Sequence, residues 1–148
     1  MLRPTKILVP TDFSEFSDKA LKQALDIAKQ YNAKVFLFHV VSTEIKSCMG
    51  DACLGDDMIR DIENQIITRA REDLQKQLDK FPQSKEVSVI TDIGNGTPYE
   101  AILKEAEDKG IELIVIASLG RSGIARFLVG SVARNVLKGA KCPVLLTK

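Results

Sequence analysis

Leu113-Ile114-Val115-Ile116-Ala117-Ser118-Leu119-Gly120-Arg121-Ser122-Gly123, running on to Gly130-Ser131, is the stretch whose reading sets the fold. Leu113 to Ile116 is uninterrupted apolar sequence, the pattern of a short strand buried on both faces. The connection that follows, Ala117 to Gly130, is 14 residues long. Ordinary strand-to-helix loops run about two to six residues, so this one is long enough to suggest function. A helix is expected from about Ser131 to Lys138, and then a last strand, Val144-Leu145-Leu146. Pro143 stands before it, where a missing N–H is tolerated. Strand, glycine loop, helix and strand make one crossover of a parallel sheet, which is right-handed.

Toward the N-terminus the same alternation repeats. Ile7-Leu8-Val9 is a buried strand that stops at Pro10, and Ser14 or Ser17 caps the helix after it. Ala20, Ala24, Ile27, Ala28 and Tyr31 recur at helical spacing, and Asn32 closes that helix. Lys34 to Val41 is a second strand, with Phe36 and Phe38 filling one face. Ser42 to Gly55 lacks periodicity and reads as a long loop. From Asp56 to Phe81 the apolar positions Ile59, Ile62, Ile66, Ala70, Leu74 and Leu78 predict one amphipathic helix. Val87-Ser88-Val89-Ile90 is a third strand. Thr97-Pro98-Tyr99-Glu100 then starts a helix, with Thr97 as N-cap, Pro98 at the first position and Glu100 completing a capping box. Gly110 ends it. Five strands alternating with four helices imply an α/β fold, a parallel sheet with helices on both faces. With no linker or repeat, residues 1–148 are expected to form a single domain.

Composition limits the partners. The net charge is +1, so no general basic surface for nucleic acid or membrane is expected. Aromatics are 5% and Trp is absent, which makes the core aliphatic. No run of about 18 apolar residues marks a membrane span, and Met1-Leu2-Arg3-Pro4-Thr5 carries no signal-peptide core. Three cysteines form no small-domain disulfide framework, and a reducing cytoplasm is the expected home. Cys48 and Cys53, in the loop after strand two, are candidates for a reversible disulfide, and Cys142 for a small core residue.

In an open parallel sheet, ligands bind beyond the carboxyl ends of the strands where strand order reverses. The loops after strands one and four are the unusual ones. Gly120 and Gly123 let backbone N–H groups approach an anion, and Gly130-Ser131 opens a helix whose first amides and dipole favour negative charge. Arg121 and Arg126 add local positive charge. Together they predict a phosphate site. Asp12 also fits as a helix-start residue, and the single histidine, His39, as a packed or rim residue. Ser118 has no neighbouring base, and no Gly-x-Ser-x-Gly elbow or Walker loop is present, so hydrolytic chemistry lacks its parts.

These residues carry a resemblance. Gly120-x9-Gly130-Ser131, with Pro10-Thr11-Asp12 after strand one and Cys142-Pro143-Val144 before the last strand, resembles the universal stress protein family along the whole chain. The family's ATP signature is Gly-x2-Gly-x9-Gly-Ser/Thr, and here Ala117 replaces its first glycine. The resemblance implies a Rossmann-like sheet of strand order 3-2-1-4-5, related to adenine nucleotide α-hydrolases. It implies ATP, or AMP or ADP, with Mg²⁺ or Mn²⁺. Pro10, Thr11 and Asp12 would lie near adenine and ribose, with Val40 or Val41 against the base. Ala117, Gly120, Arg121, Gly123, Gly130, Ser131 and the amide of Val132 would line the phosphates. The expected activity is that of a nucleotide-dependent stress-response regulator with a signalling partner. It would dimerise through the apolar edge strand at residues 143–147. The alternative is a nucleotide-free interaction module whose site has decayed at Ala117.

Overall fold

The computed structural model describes residues 2–42, 48–49, 52–120 and 129–148, with residues 48, 49 and 52 described by backbone alone. The main sheet contains β1 (Lys6–Pro10), β2 (Lys34–Val41), β5 (Ser88–Asn95), β6 (Leu113–Ala117) and β7 (Val144–Thr147). Its order is β5-β2-β1-β6-β7, all parallel, so the five strands stand 3-2-1-4-5 in sheet order as expected. The chain leaves β1 for β2 on one side and returns beside β1 as β6 on the other. That reversal opens a crevice at the carboxyl ends of β1 and β6.

Two apolar layers cover the sheet. On one face α1 (Glu15–Tyr31) and α2 (Asp56–Asp79) bury Leu21, Leu25, Leu74 and Leu78 against Ile7, Val9, Val35 and Leu37. On the other, α3 (Pro98–Lys109) and α4 (Ser131–Gly139) bury Ile102, Ala106, Ala133 and Val136 against Leu8, Phe36, Phe38, Ile114 and Ile116. Alternation along each strand sends successive side chains to opposite layers, which is why the central strands carry runs of consecutive apolar residues, at positions 7–9, 35–38 and 113–116. Asn32 and Gly110 end α1 and α3 in the left-handed conformation, as their residue types predict. No helix among the described residues is long and apolar enough to cross a membrane.

Several local expectations are corrected. The segment read as loop contains a two-stranded antiparallel ladder, β3 (Cys48–Met49) against β4 (Ala52–Cys53), with Cys48 opposite Cys53. A ladder this short has too few residues to show a period. The cysteines follow expectation: Cys53 is disulfide-bonded, and Cys142 is a free, half-buried thiol packed against the α3–α4 layer. β5 continues to Asn95 rather than stopping at Ile90, because an edge strand, paired among the described residues with β2 alone, tolerates Thr91 and Asp92. The capping box at α3 does not form: Thr97 is the N-cap residue but makes no side-chain cap bond, and Glu100 accepts from Tyr99 Oη instead. In α2 only the C-terminal half of the stripe, Ala70, Leu74 and Leu78, is buried, together with Gln77.

Candidate functional site

A pocket of about 260 Å³ lies at the carboxyl ends of β1, β2 and β6, over the reversal point. Its base is apolar, formed by Phe38, Ile102, Ile116 and Ala133. Two walls rise from it. One is the β1–α1 turn with Pro10, Thr11 and Asp12, and the other is backbone from Ala117, Ser118, Gly120, Gly130, Ser131 and Val132. A wider depression of about 710 Å³ runs along α2 between Asp61 and Lys76, but a single polar helix lines it and no other element converges there.

The first wall is held by side chains. Asp12 Oδ1 accepts from the Ser14 amide at 3.0 Å, and Ser14 Oγ caps α1 by accepting from the Ser17 amide at 3.2 Å. Asp12 thus lines the pocket and braces Ser14, and the helix-start role expected of it falls to Ser14. Phe13 between them has φ +65°, a left-handed conformation rare for a bulky residue. Its amide donates to Thr11 Oγ1 at 3.1 Å. The Phe13 and His39 rings pack tilted at 36° with centroids 4.3 Å apart, and His39 Nδ1 lies 2.7 Å from the Thr11 carbonyl oxygen. A carbonyl only accepts, so Nδ1 carries the proton of that bond. His39 is a rim residue that fastens the turn.

The second wall presents bare backbone. Gly130 is the N-cap of α4 at φ −58°, and among the described residues no side chain caps the helix. The α4 amides at the pocket's edge therefore keep the unpaired donors and dipole of a helix start. The glycines serve close approach rather than positive φ. A Cβ on Gly130 would stand 3.2 Å from the Ser118 carbonyl oxygen, and one on Gly120 would stand 2.9 Å from Asp12 Oδ2. The two walls come close together at that second point. Ala117 is not among the residues of positive φ, so its methyl brings no backbone strain.

Val40 lines the pocket, while Val41 is buried and its carbonyl accepts from the Gly96 amide at 3.2 Å. Arg121, Gly123 and Arg126 lie outside the described residues. Phe38, Ile102 and Ile116 line the base although periodicity marked them only as core, and Ser17 reaches the lining from α1. Outside the pocket, burial and then the neighbouring Asp92 push the Glu105 carboxyl on α3 from 4.5 up to about 7.

A sequence model of the universal stress protein family matches residues 4–148. Universal stress protein MJ0531 of Methanocaldococcus jannaschii is 34% identical over 143 residues, covering 97% of this chain and 81% of that protein. The solved structure of MJ0577, from the same organism, has a TM-score of 0.80 at 29% identity, covering 99% of this chain and 97% of that one. A universal stress protein crystallised in complex with cAMP shares the fold with a TM-score of 0.62 at 22% identity, covering 99% and 98% of the two chains.

Proposed function

The chain belongs to the universal stress protein family, and we propose that it binds an adenine nucleotide between the two pocket walls as a nucleotide-dependent regulator. ATP with Mg²⁺ or Mn²⁺ is the proposed ligand, with ADP or AMP as its shorter forms. The observation that carries this reading is the uncapped start of α4 at the pocket edge, reached over two positions where a side chain would intrude. In this reading the base lies over the apolar pocket base near Val40, Asp12 accepts from a ribose hydroxyl, and the α4 amides take the phosphates. Among the described residues no group of three His, Cys, Asp or Glu is placed to hold a metal ion. The divalent ion would be carried by the phosphate oxygens of the nucleotide. Calorimetry with ATP, ADP, AMP and GTP tests it: ATP is expected to bind more tightly than GTP, and equal or undetectable binding of all four overturns it.

The competing reading is a nucleotide-free module decayed at Ala117; a methyl in place of glycine would strain the backbone at a positive φ, and Ala117 has none. Ala117→Gly is then expected to leave ATP affinity within about twofold, since one methyl changes little where backbone conformation is ordinary. A strong gain in affinity favours the decayed site.

The proposed assembly is a homodimer through β7. Among the described residues that strand pairs only with β6, and Leu145 on it is 36% exposed. An apolar strand with one open backbone edge pairs favourably with its own copy about a two-fold axis. Sedimentation should show a dimer for the wild type and a monomer for Leu145→Lys. A monomeric wild type at micromolar concentration sinks this assembly. The proposed location is the cytoplasm, where the Cys53 disulfide would be a product of oxidation rather than a permanent staple.

A further inference from the structure

We propose that Gln77 of α2 is a positioning residue for the nucleotide pocket, its buried amide fixing Thr11 and through it the Asp12–Phe13 turn. The inference rests on the nucleotide reading for its consequence and on the hydrogen bonds for its mechanism. Glutamine is mostly an exposed residue, yet Gln77 is 2% exposed, beside Ser17 at 2% and Thr11 at 7%. Three separate elements meet there. Thr11 Oγ1 donates to Gln77 Oε1 at 2.8 Å. Gln77 Nε2 donates to Asp18 Oδ1 at 2.8 Å and to Ser17 Oγ at 3.3 Å. Asp18 Oδ2 in turn holds Lys80 Nζ at 2.9 Å.

These partners fix which way the amide points. A carboxylate has no proton to give, so the Asp18 side must be NH₂ and the Thr11 side must be the carbonyl oxygen. The Thr11 hydroxyl has one proton and two oxygens within reach, Gln77 Oε1 at 2.8 Å and Ser17 Oγ at 3.0 Å; the Gln77 oxygen is the nearer, so the proton goes toward α2 and the lone pairs are left for the Phe13 amide, 3.1 Å away. That bond supports a bulky residue at φ +65°. From the sheet side, the Thr11 amide donates to the Phe38 carbonyl at 2.9 Å and His39 holds the Thr11 carbonyl. Every polar group of Thr11 is engaged, and the engagement from α2 comes from Gln77 alone. A residue that merely filled this space would need neither a donor nor an acceptor.

Gln77→Glu tests the assignment because it keeps shape and replaces the NH₂ with a carboxyl oxygen facing Asp18. The charged groups facing it are Asp18 of α1 and, through Asp18, Lys80; Thr11 and Ser17 carry no charge. At about pH 8 the like charges repel, and ATP affinity is expected to fall about tenfold relative to wild type. At about pH 5.5 a shared proton restores the donor, and affinity should return to within about threefold of wild type. Adding Asp18→Asn supplies the missing NH₂ from the other side and should flatten this pH profile. Amide hydrogen exchange at Phe13 and Ser14 gives a second readout that needs no nucleotide. It should accelerate in Gln77→Glu at high pH, and at all pH values in Gln77→Met, beyond any change in global unfolding. If exchange at the turn follows global stability alone, or the double variant keeps the pH profile, Gln77 is only structural and the proposal is overturned. If wild type binds no nucleotide, the pocket reading fails while exchange still decides the role of Gln77.

Discussion

The two walls of the pocket are built by opposite means. The β1–α1 wall is a web of side chains in which Thr11, Asp12, Ser14, Ser17, Gln77 and His39 fix one another. The β6–α4 wall offers backbone, kept clear of side chains at Gly120 and Gly130. The first needs particular functional groups and the second needs their absence. Substitutions should therefore act differently on each: adding atoms harms the backbone wall through the ligand, and removing atoms harms the side-chain wall through stability.

The largest expected effect tests the backbone wall. Gly130→Asp puts a carboxylate beside the helix start and should weaken ATP about a hundredfold, by loss of charge-assisted hydrogen bonds. Calorimetry reads it, and an unchanged affinity breaks the contrast. Next comes the side-chain wall. Thr11→Val keeps volume but leaves Gln77 Oε1 and the Phe13 amide without their partner. Urea unfolding should show a loss of about 2 kcal/mol, the scale for orphaned buried polar groups. Full stability in this variant would mean that the web is ornamental.

Gly120→Ala probes the junction. Its Cβ would meet Asp12 Oδ2 at 2.9 Å, the movable end of a side chain. The expected loss of ATP affinity is about threefold, smaller than at Gly130 because the carboxylate can swing while the Ser118 carbonyl cannot. A loss equal to that of Gly130→Asp would assign Asp12 a fixed place. The smallest effect lies outside both walls. Glu105 has its folded pKa raised from 4.5 to about 7. The folded state thus holds the proton more tightly, and this contribution to stability, full below pH 4.5, is lost as pH rises through about 7. Because Glu105 is partly exposed, Glu105→Gln is expected to raise Tm by only about 3 °C at pH 8. It should leave Tm unchanged at pH 4 and ATP affinity unaltered throughout. A melting curve with no pH dependence in the difference would remove this group from the account.

The same contrast explains what could be read from sequence. Absence is legible: Gly120, Gly130 and a helix starting at Ser131 announce themselves locally, and continuous apolar runs announced the central strands. The order of those strands required the family resemblance, because periodicity gives element type and not neighbours. Gln77 was invisible since its partner Thr11 is 66 positions away, and on a helical wheel it reads as one more solvated polar residue. The β3–β4 ladder escaped because its strands are two residues each. At Thr97 the pattern of a capping box was complete, yet Tyr99 took the glutamate; local rules rank partners without seeing competitors.

The Thr11–Gln77 bond closes a chain segment of 66 residues, and this bears on the order in which the molecule assembles. Loop-closure entropy grows with segment length, so contacts of this span form after local turns and neighbouring strand pairs. The backbone wall is drawn from β6 and α4, which lie within 27 positions of sequence between Leu113 and Gly139. The side-chain wall cannot be finished until α2 has docked on α1. During refolding, a fluorescent ATP analogue is therefore expected to bind in step with α2 docking and later than formation of β6 and α4. Ligand capture would then serve as a clock for the last stage of folding.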